Sequence, residues 1–270
     1  LNLFFEGWLN EICQQVASEW QARVQAVTKD DTADQRTKLP YVIYAGGDDL
    51  LIVGPWDVLP ILAQRIRRDL GSYARQGFVA GNAPARESPI TMSAGIFAET
   101  ALFPLYQAAD QAGAVLESAK RRKAYRRKWG TGEWVTVKDG VSMFGMTLGW
   151  AEFAQAEKLA LELARLIAVE GAPHALLHLL ADVALEYTQA GGNLTPDRLV
   201  YGRWMPLLAY GLKRMAGRVS PARSDLAHRI LGLAGETLDL TRVDHAAQWH
   251  TIRFLSLPVR WAEFLIRKGG

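Results

Sequence analysis

The sequence predicts an α+β chain, with a small mixed domain over residues 1–145 and an all-helical domain over 146–270. Three observations predict it. Short apolar runs of strand length occur before residue 145, interleaved with helix-period segments. After Gly145 the strand signals stop and five helix-period stretches follow, punctuated by glycine. Between them, a Gly-Gly-Asp-Asp turn at 46–49 splits two β-rich runs.

In chain order, Phe4 to Val27 predicts a helix, with Phe5, Leu9, Ile12, Val16, Trp20 and Val24 recurring every three or four residues. Lys29 to Pro40 is polar and predicts a loop. Tyr41-Val42-Ile43-Tyr44 and Leu50-Leu51-Ile52-Val53 predict the two strands of a hairpin. Both runs are nearly continuous in apolar residues, so both faces are expected to be covered. Gly54-Pro55 ends the hairpin, and Trp56 to Leu70 predicts a helix with Pro60 near its start. Gly71 to Pro89, with four Ala, three Gly and two Pro, predicts a long connection. Pro89 to Ala98 predicts a strand, Phe103 to Lys128 a helix, and Glu133 to Phe144 a further strand or short hairpin. With one more strand ahead of Leu1, the order becomes βαββαβ, a ferredoxin-like unit. The helices of the second domain are expected over 150–170, 174–190, 196–216, 222–233 and 244–267. Trp150, Trp204, Trp249 and Trp261 are expected in cores and interfaces there.

Composition narrows the function classes. The 270 residues are 49% hydrophobic and 22% charged, which is globular. No run approaches the ~20 apolar residues of a membrane span, and the first twenty residues lack the basic start of a signal peptide. A lone Cys13 gives neither a disulfide framework nor a cysteine zinc site. A cytoplasmic protein is expected. Because the chain opens at Leu1 inside a helical pattern, it is expected to be a fragment. The net charge of +3 is unevenly placed, with seven Lys or Arg among the nine residues from Lys120 to Lys128.

Asp48 and Asp49 are the natural candidates for chemistry. Carboxylates on a rigid hairpin tip can hold a hard cation such as Mg²⁺, and through it phosphate oxygens. Gly46 and Gly47 let the backbone bend and approach a phosphate closely. Adjacent strand residues face opposite sides, so the turn must redirect one aspartate for both to serve one site. The same four residues also make a good turn with no further role. His174 and His178 have metal spacing but neither a glutamate between them nor a cysteine partner, so zinc is not expected.

Four segments carry a family resemblance: LNLFFEGWLNEI, YVIYAGGDDLLIVGPWD, ITMSAGI and AADQAGAVLESAK. In that order and spacing, the chain resembles the C-terminal half of the large, polymerase-like subunit of type III CRISPR effector complexes, most closely the Csm (III-A) subtype. The resemblance implies a GGDEF/cyclase-type palm that makes cyclic oligoadenylates from ATP when target RNA is bound, in antiviral defence. It implies Mg²⁺ or Mn²⁺ at Asp48 and Asp49, and substrate contacts from Gly46, Gly47, Ser93 and Lys120. Around Lys120 the sequence departs from the family's usual Lys-Asn, so any basic residue of 120–128 is open as the phosphate contact. Phe4 and Phe5 are expected in the core, or as a wall for the adenine. The implied partners are other effector subunits, with crRNA and target RNA reached through the complex, and no membrane. A first palm and an HD nuclease belong to the family but not to this stretch. Two alternatives stand beside this reading. One is a diguanylate cyclase, although Asp49-Leu50 occupies the place of that family's Glu-Phe. The other is a catalytically silent palm serving as a scaffold.

Overall fold

A computed structural model describes residues 2–28, 39–46, 48–78, 90–128, 131–192, 200–238 and 251–268. The chain is α+β, and it divides into two compact units. The first contains Leu1–Gln25, Thr32–Ala124 and Trp134–Trp150; the second joins Ala26–Asp31 and Tyr125–Glu133 to Ala151–Gly270.

Helix α1 (Asn2–Thr28) buries Leu9, Ile12, Cys13, Val16, Ala17 and Trp20, the 3.6-residue stripe expected of an amphipathic helix. Burial pushes the Cys13 thiol up, which keeps it protonated and unreactive. Strands β1 (Tyr41–Gly46) and β2 (Asp49–Val53) form the hairpin. They pair antiparallel from Tyr41↔Val53 to Gly46↔Asp49, with a bulge at Ile43. Gly54 closes its base, because a Cβ there would lie 2.8 Å from the Cα of Pro40, the residue entering β1. Contrary to expectation, the hairpin is not covered on both faces. Tyr41 (70%), Tyr44 (56%), Ile43 and Val53 are exposed. Among the described residues β1 and β2 pair only with each other, so the ribbon keeps open edges and an open face despite its apolar composition.

The backbone then turns through Trp56-Asp57-Val58, where the Pro55 carbonyl accepts the amides of Val58 and Leu59. Asp57 is 3% exposed, and its Oδ2 accepts the indole N–H of buried Trp20 at 3.1 Å. A hydrogen bond to a charged group contributes about 1.5–3 kcal/mol. It pins α1 to the segment that leaves the hairpin. Helix α2 (Leu59–Phe78) starts with Pro60 in its first turn, as expected, but runs eight residues past Leu70. Gly71 reads as a stop in sequence, yet it is buried within the helix, where a small residue is tolerated for packing. Residues 29–38 and 79–89, expected as connections, lie outside the described residues.

Strand β3 (Ala94–Ile96) is shorter than the run 89–98 suggested. It pairs parallel with β6 (Val141–Met143), which pairs antiparallel with β7 (Met146–Leu148). Phe144 and Gly145 join β6 to β7 with φ of 50° and 77°, the two positive values of a type I′ turn. Helix α3 (Leu105–Lys120) packs on β3. The expected continuation of that helix to Lys128 does not occur: Lys123–Lys128 is strand β4, beside β5 (Thr131–Thr136) in a separate ribbon. Lys and Arg favour helices, so the basic run extended the helical pattern on paper. Arg67 of α2 makes two bonds to Asp139, at 3.1 and 2.8 Å, which fastens α2 to the segment before β6.

In the second unit α4 (Trp150–Ala168), α5 (Ala175–Gln189), α6 (Trp204–Ala216), α7 (Ser224–Leu238) and α8 (Ser256–Lys268) form the expected all-helical domain. Helix α5 packs against α6 and α8. The core holds Phe153 against Trp261, 5.5 Å between ring centroids, and Tyr187 edge-on to Trp204 at 5.4 Å. Burial pushes the Tyr187 phenol up while the Arg253 guanidinium draws it back. Trp204 and Trp261 are fully buried, as expected, and Trp150 is half-buried; Trp249 lies outside the described residues. Among the described residues, no helix is long and apolar enough to cross a membrane.

Candidate active site

At the hairpin tip Gly46 and Asp49 face each other as the last pair of the ladder. Gly47 itself lies outside the described residues. Asp48 is in the turn and Asp49 is the first residue of β2, and both are exposed. Asp48 thus escapes the strand's alternation, which removes the obstacle to two adjacent aspartates serving one site. Neither carboxylate has a hydrogen-bond or ion-pair partner among the described residues. Their oxygens are free to ligate, whereas the nearby Asp57 carboxylate is buried and bonded to Trp20.

The glycine at 46 also has a local role. A Cβ there would meet the Tyr44 hydroxyl at 2.7 Å, so the phenol end lies against the bare backbone beside the tip. Tyr44 was not singled out by sequence, since its position reads simply as a strand aromatic. Its hydroxyl is the nearest atom to the space a Cβ on Gly46 would take.

Ser93 immediately precedes β3, and its hydroxyl oxygen is buried without a hydrogen-bond partner among the described residues. Lys120 ends α3, partly exposed, with Nζ 3.1 Å from Glu117 Oε1 in the same helix. An exposed i,i+3 pair contributes at most a few tenths of a kcal/mol, so the ammonium can leave it at about that cost. The other basic residues of the run diverge. Arg121 caps the helix and donates to the Glu117 carbonyl at 3.2 Å. The Arg122 stem packs where a Cβ on Gly140 would stand, 3.0 Å away. Lys123 is exposed at the start of β4. The run is therefore not one basic helix face.

Helix α3 is placed by Gly95. A Cβ on that residue would lie 2.3 Å from the Leu116 nitrogen and 2.7 Å from the Ala112 carbonyl oxygen. Only glycine lets the helix bearing Lys120 lie so close to β3. The structure thus unites Asp48 with Asp49 on one ribbon, and Ser93 with Lys120 on the β3–α3 pair. Among the described residues no hydrogen bond or ion pair joins the two sets. The side chains of Phe4 and Phe5 lie outside the described residues. His174 and His178 are both exposed, and no cluster of three or more metal-ligating side chains occurs among the described residues.

Two carboxylates and no fuller cage suit Mg²⁺ or Mn²⁺, which bind through one or two carboxylates while substrate phosphates and waters fill the remaining positions. The unpartnered oxygens of Asp48 and Asp49 fit that donor set. They would not fit a structural zinc.

Residues 1–128 match the family described as Cas10/Cmr2, second palm domain. Three curated relatives, each named "CRISPR system single-strand-specific deoxyribonuclease Cas10/Csm1 (subtype III-A)", align with the chain. The one from Methanocaldococcus jannaschii is 31% identical over 150 residues, 56% of this chain and 16% of that protein. The Thermococcus onnurineus relative is 35% identical over 79 residues, 29% of the chain and 9% of that protein. The Mycobacterium tuberculosis relative is 25% identical over 154 residues, 56% of the chain and 15% of that protein. The chain therefore spans only a small part of the length of these relatives. No solved structure matches it significantly.

Proposed function

We propose that this chain, whose residues 1–128 match the Cas10/Cmr2 second palm domain, is part of a Cas10-type large subunit of type III-A CRISPR effectors, and that its palm joins ATP molecules into cyclic oligoadenylates when the assembled complex binds target RNA. The observation that carries the reading is the pair of exposed, unpartnered carboxylates at the tip of the hairpin. In such a reaction a 3′-hydroxyl oxygen bonds to the α-phosphorus of a second ATP, pyrophosphate leaves, and the hydroxyl proton passes to solvent or a base. The work left to the protein is positioning and neutralisation of charge.

Asp48 and Asp49 would hold Mg²⁺ or Mn²⁺, which supplies charge neutralisation at the phosphates. The Tyr44 phenol, which fills the space of a Cβ on Gly46, stands beside them and would flank a phosphate held there. Lys120, released from Glu117, offers a charge-assisted hydrogen bond to a phosphate oxygen. Ser93 has a hydroxyl without a partner among the described residues, and its buried oxygen would have to be uncovered to reach substrate. Other effector subunits, crRNA and target RNA are the partners proposed for the whole complex.

The test is to supply the assembled effector with labelled ATP, a divalent metal and target RNA, and to separate the products. Cyclic oligoadenylates are expected. Product from GTP alone would favour a diguanylate cyclase, and no product from any nucleotide would leave only the scaffold role.

In the same assay Lys120→Ala is expected to raise KM for ATP by about tenfold or more, the worth of one hydrogen bond to a charged group, ~1.5–3 kcal/mol. Thermal unfolding should barely move, because the pair lost with Glu117 is surface-exposed. An unchanged KM would assign Lys120 to the solvated helix end.

A further inference from the structure

Between Asp197 and Asp225 the sequence has six Arg or Lys residues and no Asp or Glu. Helix α6 occupies the centre of this stretch. It turns Trp204, Leu208, Leu212 and Ala216 into the core, each four residues after the last. The opposite face is left to solvent, with Leu207, Tyr210, Lys213 and Arg214, and Arg218 just beyond the helix end. Tyr210 is 68% exposed, far more than a tyrosine held for packing requires. Among the described residues Lys213, Arg214 and Arg218 have no ion-pair partner. Two nearby arginines are engaged instead: Arg223 donates to the Glu170 carbonyl, and Arg229 is paired with Glu170 and Glu162.

The two ends of the α6 face differ in charge. Near the helix start, Arg203 and Leu207 line a groove with Asp182, Glu186, Leu185 and Gln189 of α5, so acidic residues share that end with the arginine. From Tyr210 to Arg218 no acid intervenes in sequence, and the span is about 12 Å at 1.5 Å per residue. An uncompensated cationic stripe beside an exposed aromatic ring suits a polyanion that also presents flat π-faces. A single-stranded polynucleotide has both features, whereas a duplex hides its base faces and an acidic peptide has none.

We propose that the Tyr210–Arg218 face of α6 binds a single-stranded polynucleotide, with Lys213, Arg214 and Arg218 on its phosphates and Tyr210 stacked on a base. The stripe's cations are drawn to phosphates and its ring to base faces, which RNA and DNA strands share, so both are expected to bind it. The site is separate in sequence from the hairpin, and it stands whether or not the palm makes oligoadenylates.

The test is fluorescence anisotropy of a short labelled oligouridylate and its deoxythymidylate counterpart, titrated with the 270-residue chain over a range of NaCl. Changing Lys213, Arg214 and Arg218 together to Gln should weaken both strands by at least about tenfold at low salt. It should also reduce the salt slope by about 2, at ~0.7 per phosphate contact. Tyr210→Ala should weaken binding by about fivefold or more and leave the slope unchanged. All these side chains are exposed, so circular dichroism should show unaltered helices. Asp48→Ala with Asp49→Ala should bind strands like the unaltered chain, which separates this proposal from the palm chemistry. A full salt slope in the triple variant would overturn the proposal. So would indifference to Tyr210→Ala, or equal binding of a duplex or of polyglutamate.

Discussion

Asp48→Ala combined with Asp49→Ala is expected to lower oligoadenylate synthesis by the assembled effector by at least about three orders of magnitude, roughly 4 kcal/mol of transition-state stabilisation. The change removes both carboxylates that the hairpin tip presents, and among the described residues no third metal-ligating side chain stands ready to replace them. Positioning of two reactants alone can be worth ~7–11 kcal/mol, so losing the group that holds the phosphates should leave little activity. Binding of target RNA should be unchanged, because neither carboxylate has a hydrogen-bond or ion-pair partner among the described residues. Undiminished product from the double variant, with ATP and either Mg²⁺ or Mn²⁺, would refute the role given to these residues.

The second large effect is structural. Gly95→Ala is expected to destabilise the palm by ~1–3 kcal/mol, the usual cost of overpacking. Its new methyl would meet backbone atoms of α3 at 2.3 and 2.7 Å, and backbone cannot rotate away as a side-chain tip can. Helix α3 must shift, and Lys120 at its end shifts with it. The unfolding transition of the palm should therefore fall by several degrees, with KM for ATP rising in the protein that remains folded. Gly113→Ala, in the same helix but with nothing within 4 Å of its new methyl, serves as the control. It should stabilise by ~0.5–1 kcal/mol, as alanine does over glycine in a helix. Equal effects from both substitutions would show that Gly95 is not a packing glycine.

Much of this was legible in the sequence where the cause is local. The hairpin followed from β-branched and aromatic runs around a Gly-Asp turn, and α1 from its 3.6-residue stripe. The helices of the second unit followed from periodicity and glycine breaks. What failed depended on tertiary context. Gly71 has the composition of a helix stop but packs inside α2. Lys123–Lys128 has the propensity of a helix but is held as a strand beside β5. The apolar hairpin suggested full cover, yet its pairing ends with two strands.

At the site the same division holds. Asp48 and Asp49 were readable because turn residues announce themselves. The Trp20–Asp57 bond was not, since 37 residues separate its partners and neither stands out alone. Gly95 looked like one more small residue in a strand, and only the approach of α3 gives it a reason.

The central claim is that the hairpin tip holds a metal–ATP complex, and its most direct test needs no turnover. Mn²⁺ is titrated into the 270-residue chain with and without ATP, and free Mn²⁺ is read by electron paramagnetic resonance. The account predicts ATP-dependent Mn²⁺ binding that disappears when Asp48 and Asp49 are both changed to Asn in a chain with unaltered circular dichroism. Equal Mn²⁺ binding by the Asn variant would place the metal elsewhere and contradict the account.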